Sequence, residues 1–172
     1  MPLPLVIDAD ALNLVAATPT LLPRRTAATV LTPHPGEAAR LVGRDTEAVQ
    51  ADRIGTARSI AERWGAVCVL KGARTVIAAP DGRLAVNPTG NPGLGTGGTG
   101  DVLTGCVAAA LARLAGGGHN GHSDAHADAF AAACAAVYAH GAAGDAAAAA
   151  RSQTGLLASD VIDALPRVLG AR

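Results

Sequence analysis

The run from Gly90 to Asp101 reads GNPGLGTGGTGD, is half glycine, and stops where a helical pattern begins. The first N–H groups of a helix have no partner inside it and point along the positive end of its dipole. A glycine approach lets anion oxygens reach them without meeting side chains. That placement predicts a phosphate site. The dipole alone contributes only about 0.3 to 2 kcal/mol, so tight binding needs several aligned donors acting together.

Three phosphate motifs compete for these residues. Walker A requires Gly-Lys followed by Ser or Thr, and no lysine follows Lys71. Gly95, Gly97 and Gly100 satisfy G-x-G-x-x-G formally, but a dinucleotide fold wants a strand directly before the first glycine and an acid about 20 residues on. Here Asn91, Pro92 and Gly93 precede, and glycine, histidine and asparagine occupy the downstream region. The third reading uses Asp101. A carboxylate just past Gly98, Thr99 and Gly100 sits beside the amides that hold a phosphoryl group, where it can take a proton from an attacking hydroxyl. Capping of the helix is the competing role for the same aspartate. Lys71 and Gly72 follow the apolar run Val67 to Leu70; a lysine there either reaches phosphates or faces solvent.

Of the 172 residues, 49% are hydrophobic but only 2% aromatic, so Ala, Val, Leu and Ile must fill the core. A single domain over residues 1–172 is expected at this length. Net charge is zero, which gives no general attraction for nucleic acid or acidic membranes. No apolar stretch reaches the roughly 18 residues of a membrane span, and the start MPLPLVIDAD lacks the basic residues of a secretory signal. The expectation is a soluble cytoplasmic protein that binds neither nucleic acid nor membrane. Cys68, Cys106 and Cys134 are odd in number, far apart and set among apolar residues, which suits buried reduced thiols. His119, His122 and His126 have helical spacing, but the glycines around them favour a solvated loop over a metal site.

Short apolar runs at Leu3 to Ile7, Thr29 to Leu31, Val67 to Leu70, Val76 to Ala79 and Leu84 to Val86 read as strands. Asp45 to Trp64 reads as one helix, with Asp45 as N-cap and Ile54, Ala57, Ala61 and Trp64 on its buried face. A second helix follows Asp101, with Leu103, Val107, Leu111 and Leu114 on one stripe, and further helices are expected at about Ala125 to His140 and Ser159 to Leu169. Pro80, Asp81 and Gly82 predict a hairpin turn. The class is therefore α/β, a mainly parallel sheet flanked by helices with an antiparallel edge hairpin. The alanine bias of the C-terminal half reads as compositional rather than functional.

Several separated strings together resemble one family: VIDADALN at Val6 to Asn13, LTPHPGEAARL at Leu31 to Leu41, VLKGARTVI at Val69 to Ile77, and NPTGNPGLGTGGTGDVLTG at Asn87 to Gly105. YAHGAAGD at Tyr138 to Asp145 and GLLASDVIDALP at Gly155 to Pro166 extend the likeness over nearly the whole chain. The family is that of the ADP- or ATP-dependent NAD(P)H-hydrate dehydratases, which are ribokinase-like. The resemblance implies that the chain repairs hydrated NADH or NADPH by coupling dehydration to nucleotide hydrolysis, with Mg2+ as cofactor and ADP or ATP as co-substrate.

By that resemblance Lys71, Gly72, Ala73, Arg74 and Thr75 bind the nucleotide, as do Asn91, Pro92, Gly93, Leu94, Gly95, Thr96, Gly97, Gly98, Thr99 and Gly100. Asp101 faces the hydrated ring as base. His34 lies against the substrate, Asp10 and Asn13 face the same cleft, and Glu37 supports the metal indirectly. Read from the residues alone, Asp8, Asp10 and Asn13, which follow the first strand, suit the substrate cleft and a turn about equally well, and His34 suits an exposed loop. Members of the family carry strands and a substrate loop ahead of VIDAD, so the resemblance also implies an N-terminally shortened chain completed by a missing segment or by assembly into a homo-oligomer through an exposed sheet edge. Two other functions fit the same loop: a small-molecule kinase of the hydroxymethylpyrimidine or thiazole type, and a non-catalytic nucleotide-binding fragment.

Overall fold

In the computed structural model, residues 3–22, 25, 27–116 and 125–170 are described. Five strands form one sheet in sequence order: β1 (Leu5–Ile7), β2 (Thr29–Leu31), β3 (Val67–Leu70), β4 (Val76–Ala78) and β5 (Leu84–Val86). The first three run parallel, with Val6 opposite Val30 and Leu31 opposite Cys68. β4 and β5 add the expected antiparallel hairpin at the edge, and its turn is held by the bidentate pair of Arg83 with Asp81. The α/β class read from the sequence is the architecture observed.

Helices cover both faces, and the alternation of side chains along each strand decides which helices meet which. Ile7, Leu31, Cys68, Leu70, Val76 and Ala78 face α1 (Asp10–Ala17), α2 (Pro35–Val42), α3 (Thr46–Ala51) and α4 (Arg53–Trp64). Val30, Val67, Val69, Ile77 and Ala79 face α5 (Thr99–Gly116) and α6 (Ala125–Ala150). A third helix on that side, α7 (Ala158–Val168), packs on α6 through Leu156, Val161, Ala143 and Ala147. Leu103, Val107 and Leu111 are buried as their stripe predicted.

Two expectations are corrected. The helix from Asp45 to Trp64 is two helices, because Asp52 leaves helical geometry at φ −135° and uses its carboxylate to cap α4 through Gly55 N. The break changes the helical phase. Ile54, expected on the buried face, is 44% exposed, whereas Ala57, Ala61 and Trp64 are buried. The Ala-rich helix runs on beyond His140 to Ala150, so the YAHGAAGD string is helical. Among the described residues no helix is long and apolar enough to cross a membrane. The free thiol of Cys68 is buried, and that burial pushes it up, out of the reactive range. Two of the histidines considered for a metal, His119 and His122, lie outside the described residues.

With one tryptophan in the chain, the α1 to α4 side of the core rests on Trp64, which is 1% exposed and has Arg63 over its ring at 5.2 Å. Its indole N–H is buried without a hydrogen-bond partner among the described residues. Trp64→Ala is expected to cost about 3 to 5 kcal/mol. Trp64→Phe should cost clearly less, because it also removes an unpaired donor. Urea unfolding of both variants checks this; equal losses would show that the indole N–H carries no penalty.

Candidate active site

The glycine loop is seated on α6 by a set of specific contacts. Asp145 accepts from Gly90 N at 2.8 Å and from the Asn91 amide at 2.9 Å, and Asn91 Oδ1 in turn accepts from Gly93 N at 3.0 Å. Thr89 Oγ1 donates to the carbonyl of Tyr138 at 3.0 Å. The approach is possible because α6 presents glycines there: a Cβ on Gly141 would lie 2.9 Å from the Thr89 carbonyl carbon, and one on Gly144 would lie 2.7 Å from a Leu94 methyl. Thr99 closes the loop from inside, its hydroxyl within reach of the Leu94 and Thr96 carbonyls at 2.6 and 2.8 Å. Buried His140 reaches the Thr99 carbonyl at 2.9 Å through Nε2, which must therefore carry the proton.

At the start of α5, the backbone N–H groups of Gly97, Gly98, Gly100 and Asp101 donate to no described residue. Gly98 sits at φ 88°, in the left-handed region that a side chain would strain. Four such donors at the start of a helix, with its dipole behind them, have the chemistry that an anion site requires. Asp101 lies in the first turn of α5, is exposed, and makes no hydrogen bond or ion pair to a described residue. The capping role considered for it is therefore not the one it plays.

A cavity of about 520 Å³ opens beside this loop. One wall is Lys71, Gly72, Ala73, Arg74 and Thr75; the other is Asn91, Pro92, Leu94, Gly95, Thr99 and Gly100. Ten residues of the loop were expected to bind nucleotide, and the structure divides them. Gly93 and Thr96 line a second, shallower hollow with Gln153 and Thr154, while Gly97 and Gly98 line neither. The floor holds residues that the motif reading passed over: Asn87, Leu103, Val137, His140 and Gly141.

Lys71 joins this cavity to the ends of β1 and β2. Its ammonium lies 2.7 Å from Asp8 Oδ1 and 3.9 Å from Glu37 Oε2, and 3.5 Å from where a Cβ on Gly100 would stand. The other Asp8 oxygen accepts from Thr104 Oγ1 at 2.7 Å. Burial by itself would raise the Asp8 pKa, but the hydrogen bonds from Lys71 and Thr104 and the Lys71 charge outweigh it and hold the carboxyl below its ordinary range. Asp8, read from the sequence as facing the substrate cleft or a turn, is paired with Lys71, 63 positions away, a partner that no local pattern showed.

The remaining candidates lie along α1 and α2. Asp10 opens α1 rather than a turn, and Asn13 bonds both Asp10, at 3.4 Å, and Arg40, at 3.2 Å. His34 is the N-cap of α2: its Nδ1 accepts from Gly36 N and Glu37 N, and its Nε2 lies 3.4 Å from Glu37 Oε1. Glu37 returns a bond to His34 N at 2.7 Å and is buried, completing a capping box. The cap thus holds the His34 ring against α2, with 53% of its side chain still exposed.

The sequence model of a family described as NAD(P)H-hydrate dehydratase matches residues 2–167. The chain is 49% identical over 166 residues to the bifunctional NAD(P)H-hydrate repair enzyme Nnr of Moorella thermoacetica, covering 96% of this chain and 29% of that protein. It is 48% identical over 112 residues to the ADP-dependent (S)-NAD(P)H-hydrate dehydratase of Neisseria meningitidis, covering 64% of this chain and 38% of that one. The crystal structure of the Bacillus subtilis ADP/ATP-dependent NAD(P)H-hydrate dehydratase, co-crystallised with ATP and Mg2+, superposes with a TM-score of 0.82 at 39% identity, over 98% of this chain and 55% of that one. A ribokinase-like superfamily protein of Enterococcus faecalis superposes at 0.74 with 30% identity, over 96% and 52%. The fold is ribokinase-like, and the chain spans from under a third to just over half the length of these proteins.

The burial of His140 makes stability depend on pH. Burial lowers the His140 pKa below 6.5, and its bond to Thr99 offsets this only in part. The folded state thus favours the neutral ring, so its contribution is complete above the unfolded value near 6.5 and is lost as pH falls toward the lower folded value. His140→Gln keeps a donor for the Thr99 carbonyl but cannot titrate. Between about pH 7 and pH 5 its stability should fall less steeply than that of the wild type; parallel urea-derived slopes would remove His140 from this role.

Proposed function

The chain belongs to the NAD(P)H-hydrate dehydratase family, and from that premise we propose that it binds an adenine nucleotide, ADP by preference over ATP, and uses it to dehydrate hydrated NADH or NADPH. The observation that carries the reading is the row of amides opening α5 that, like the Asp101 carboxylate in its first turn, bond no described residue, with a cavity of about 520 Å³ alongside. The cavity suits the nucleoside. The amides suit its terminal phosphate, and Asp101 stands where an acceptor hydroxyl must lose its proton.

In the proposed reaction Asp101 takes the proton of the ring hydroxyl as that oxygen attacks the terminal phosphorus, and the bond to AMP, or to ADP when ATP is used, breaks. The α5 amides hold the phosphoryl oxygens as charge builds on them. The ring nitrogen then pushes electrons toward the carbon that loses phosphate, and loss of a ring proton restores the dihydropyridine. His34, Asp10 and Asn13, fixed by the α2 cap and by Arg40, contribute to the substrate side.

Mg2+ fits as a companion of the nucleotide rather than as an ion caged by the protein. Among the described residues no three His, Cys, Asp or Glu side chains gather as a metal cage. The charge of Lys71 is already shared by Asp8 and Glu37, so it cannot by itself neutralise a polyphosphate. When bound, the ion offsets charge on the phosphoryl oxygens, and Glu37, beside Lys71, is the residue that would support it indirectly. The substrates are soluble cofactors, and we place the reaction in the cytoplasm.

Incubation with hydrated NADH and ADP should restore the NADH absorbance with release of AMP. A stable phosphorylated product would replace this reading with a kinase, and nucleotide binding without turnover would leave a binding fragment. Asp101→Asn should lower turnover by about 10² to 10⁴ while ADP affinity stays nearly constant. Unchanged turnover would take Asp101 out of the reaction.

A further inference from the structure

Arg53 is the first residue of α4, a position where a cation opposes the helix dipole. Its side chain is half-buried, and burial lowers its pKa. It forms no ion pair with a carboxylate among the described residues. The guanidinium instead forks onto the chain where β3 ends: Nη2 lies 3.1 Å from the Leu70 carbonyl and 3.3 Å from the Lys71 carbonyl, and Nη1 bonds Gln50 Oε1 at 2.8 Å. Gly72 follows at φ 136°, and a Cβ there would lie 3.0 Å from Nη1. Only a glycine lets the chain turn over the guanidinium in this way. Two residues later Arg74 takes a left-handed φ of 53°, and the Thr75 hydroxyl donates back to the Gly72 carbonyl at 3.1 Å.

A cation set against a dipole, partly removed from water and paired with no carboxylate among the described residues is an unfavourable choice for stability alone. What it gains is the position of two carbonyls that start the cavity wall. We propose that Arg53 is a positioning residue for the nucleotide site: its fork fixes the turn from Lys71 to Thr75, and through that turn the place of the Lys71 ammonium beside Gly100. The role rests on the nucleotide reading above. Lysine cannot replace it fully, because a single ammonium does not present the planar pair of donors that reaches both carbonyls and Gln50 together.

Two measurements on the full chain test this, with Arg58→Met, an exposed change on the same helix, as control. Without nucleotide, amide hydrogen exchange in the segment 71–75, read at Lys71, whose N–H bonds the Pro33 carbonyl, should rise about 10-fold in Arg53→Met relative to the control, with the exchange of β2 and β3 kept. By calorimetry its ADP affinity should fall about 10-fold, and Arg53→Lys should recover part of both losses, which a general loss of stability would not produce. Unchanged exchange in that segment, or ADP affinity within about 2-fold of wild type, overturns the proposal. Should Arg53→Met fail to fold, the same two readings on Arg53→Lys decide it. A wild-type chain that takes up no ADP brings down the nucleotide reading and this inference together, whereas a failure confined to Arg53 leaves wild-type ADP binding intact.

Discussion

The bond from Asp145 to Gly90 N and to the Asn91 side chain is the contact on which the site depends. A loop that is half glycine has little of its own to hold it in one conformation, and unpaired amides at a helix start are useful only if they point one way. Helix α6 supplies that order from outside. Its carboxylate grips the loop at the entry, its backbone carbonyl at Tyr138 takes the Thr89 hydroxyl, and its buried histidine fixes the Thr99 carbonyl at the exit. Donors fixed in advance need no reorganisation when charge arrives, which is the condition for strong electrostatic stabilisation.

The second wall is ordered by charge. Lys71 stands between Asp8 and Glu37, and each carboxylate has a further tie: Asp8 to Thr104 on α5, Glu37 to the α2 cap at His34. One ammonium thereby connects the ends of β1 and β3 with the starts of α2 and α5. These are the carboxyl ends of parallel strands, the edge where open α/β sheets place their ligands. Asp8, Glu37, His34, Thr104 and the cavity wall at Lys71 are therefore parts of one frame of hydrogen bonds and ion pairs.

Much of this was legible in the chain because it is local. Strand positions followed from apolar runs, the hairpin from Pro80, Asp81 and Gly82, and the start of α5 from the end of the glycine run. What stayed hidden is long-range or competitive. Asp8 reads as a cleft or turn residue after a strand, and its pairing with Lys71 shows only once the two fold together. Asp45 and Asp52 both act as caps, of α3 and α4 in turn, and apolar periodicity across residues 45–64 concealed the break between the two helices. His34 appeared as a loop residue because its cap becomes visible only when α2 is known to begin at Pro35.

The alanine and glycine bias of α6, read from the sequence as composition, has a physical use in the part that meets the loop. Gly141 and Gly144 stand where any Cβ would strike Thr89 or Leu94, and buried Ala143 and Ala147 let α7 close on the other side. Larger residues along this helix would bury more apolar area per position, but they would hold the loop away from Asp145 and His140 and leave its amides without a fixed direction. The scarcity of aromatics in the chain fits the same constraint: close approach of backbone to backbone is what the site requires, and small side chains alone permit it. The stability forgone on α6 is recovered on the opposite face of the sheet, where Trp64, Leu41, Ile60 and Leu70 are packed with almost no exposure.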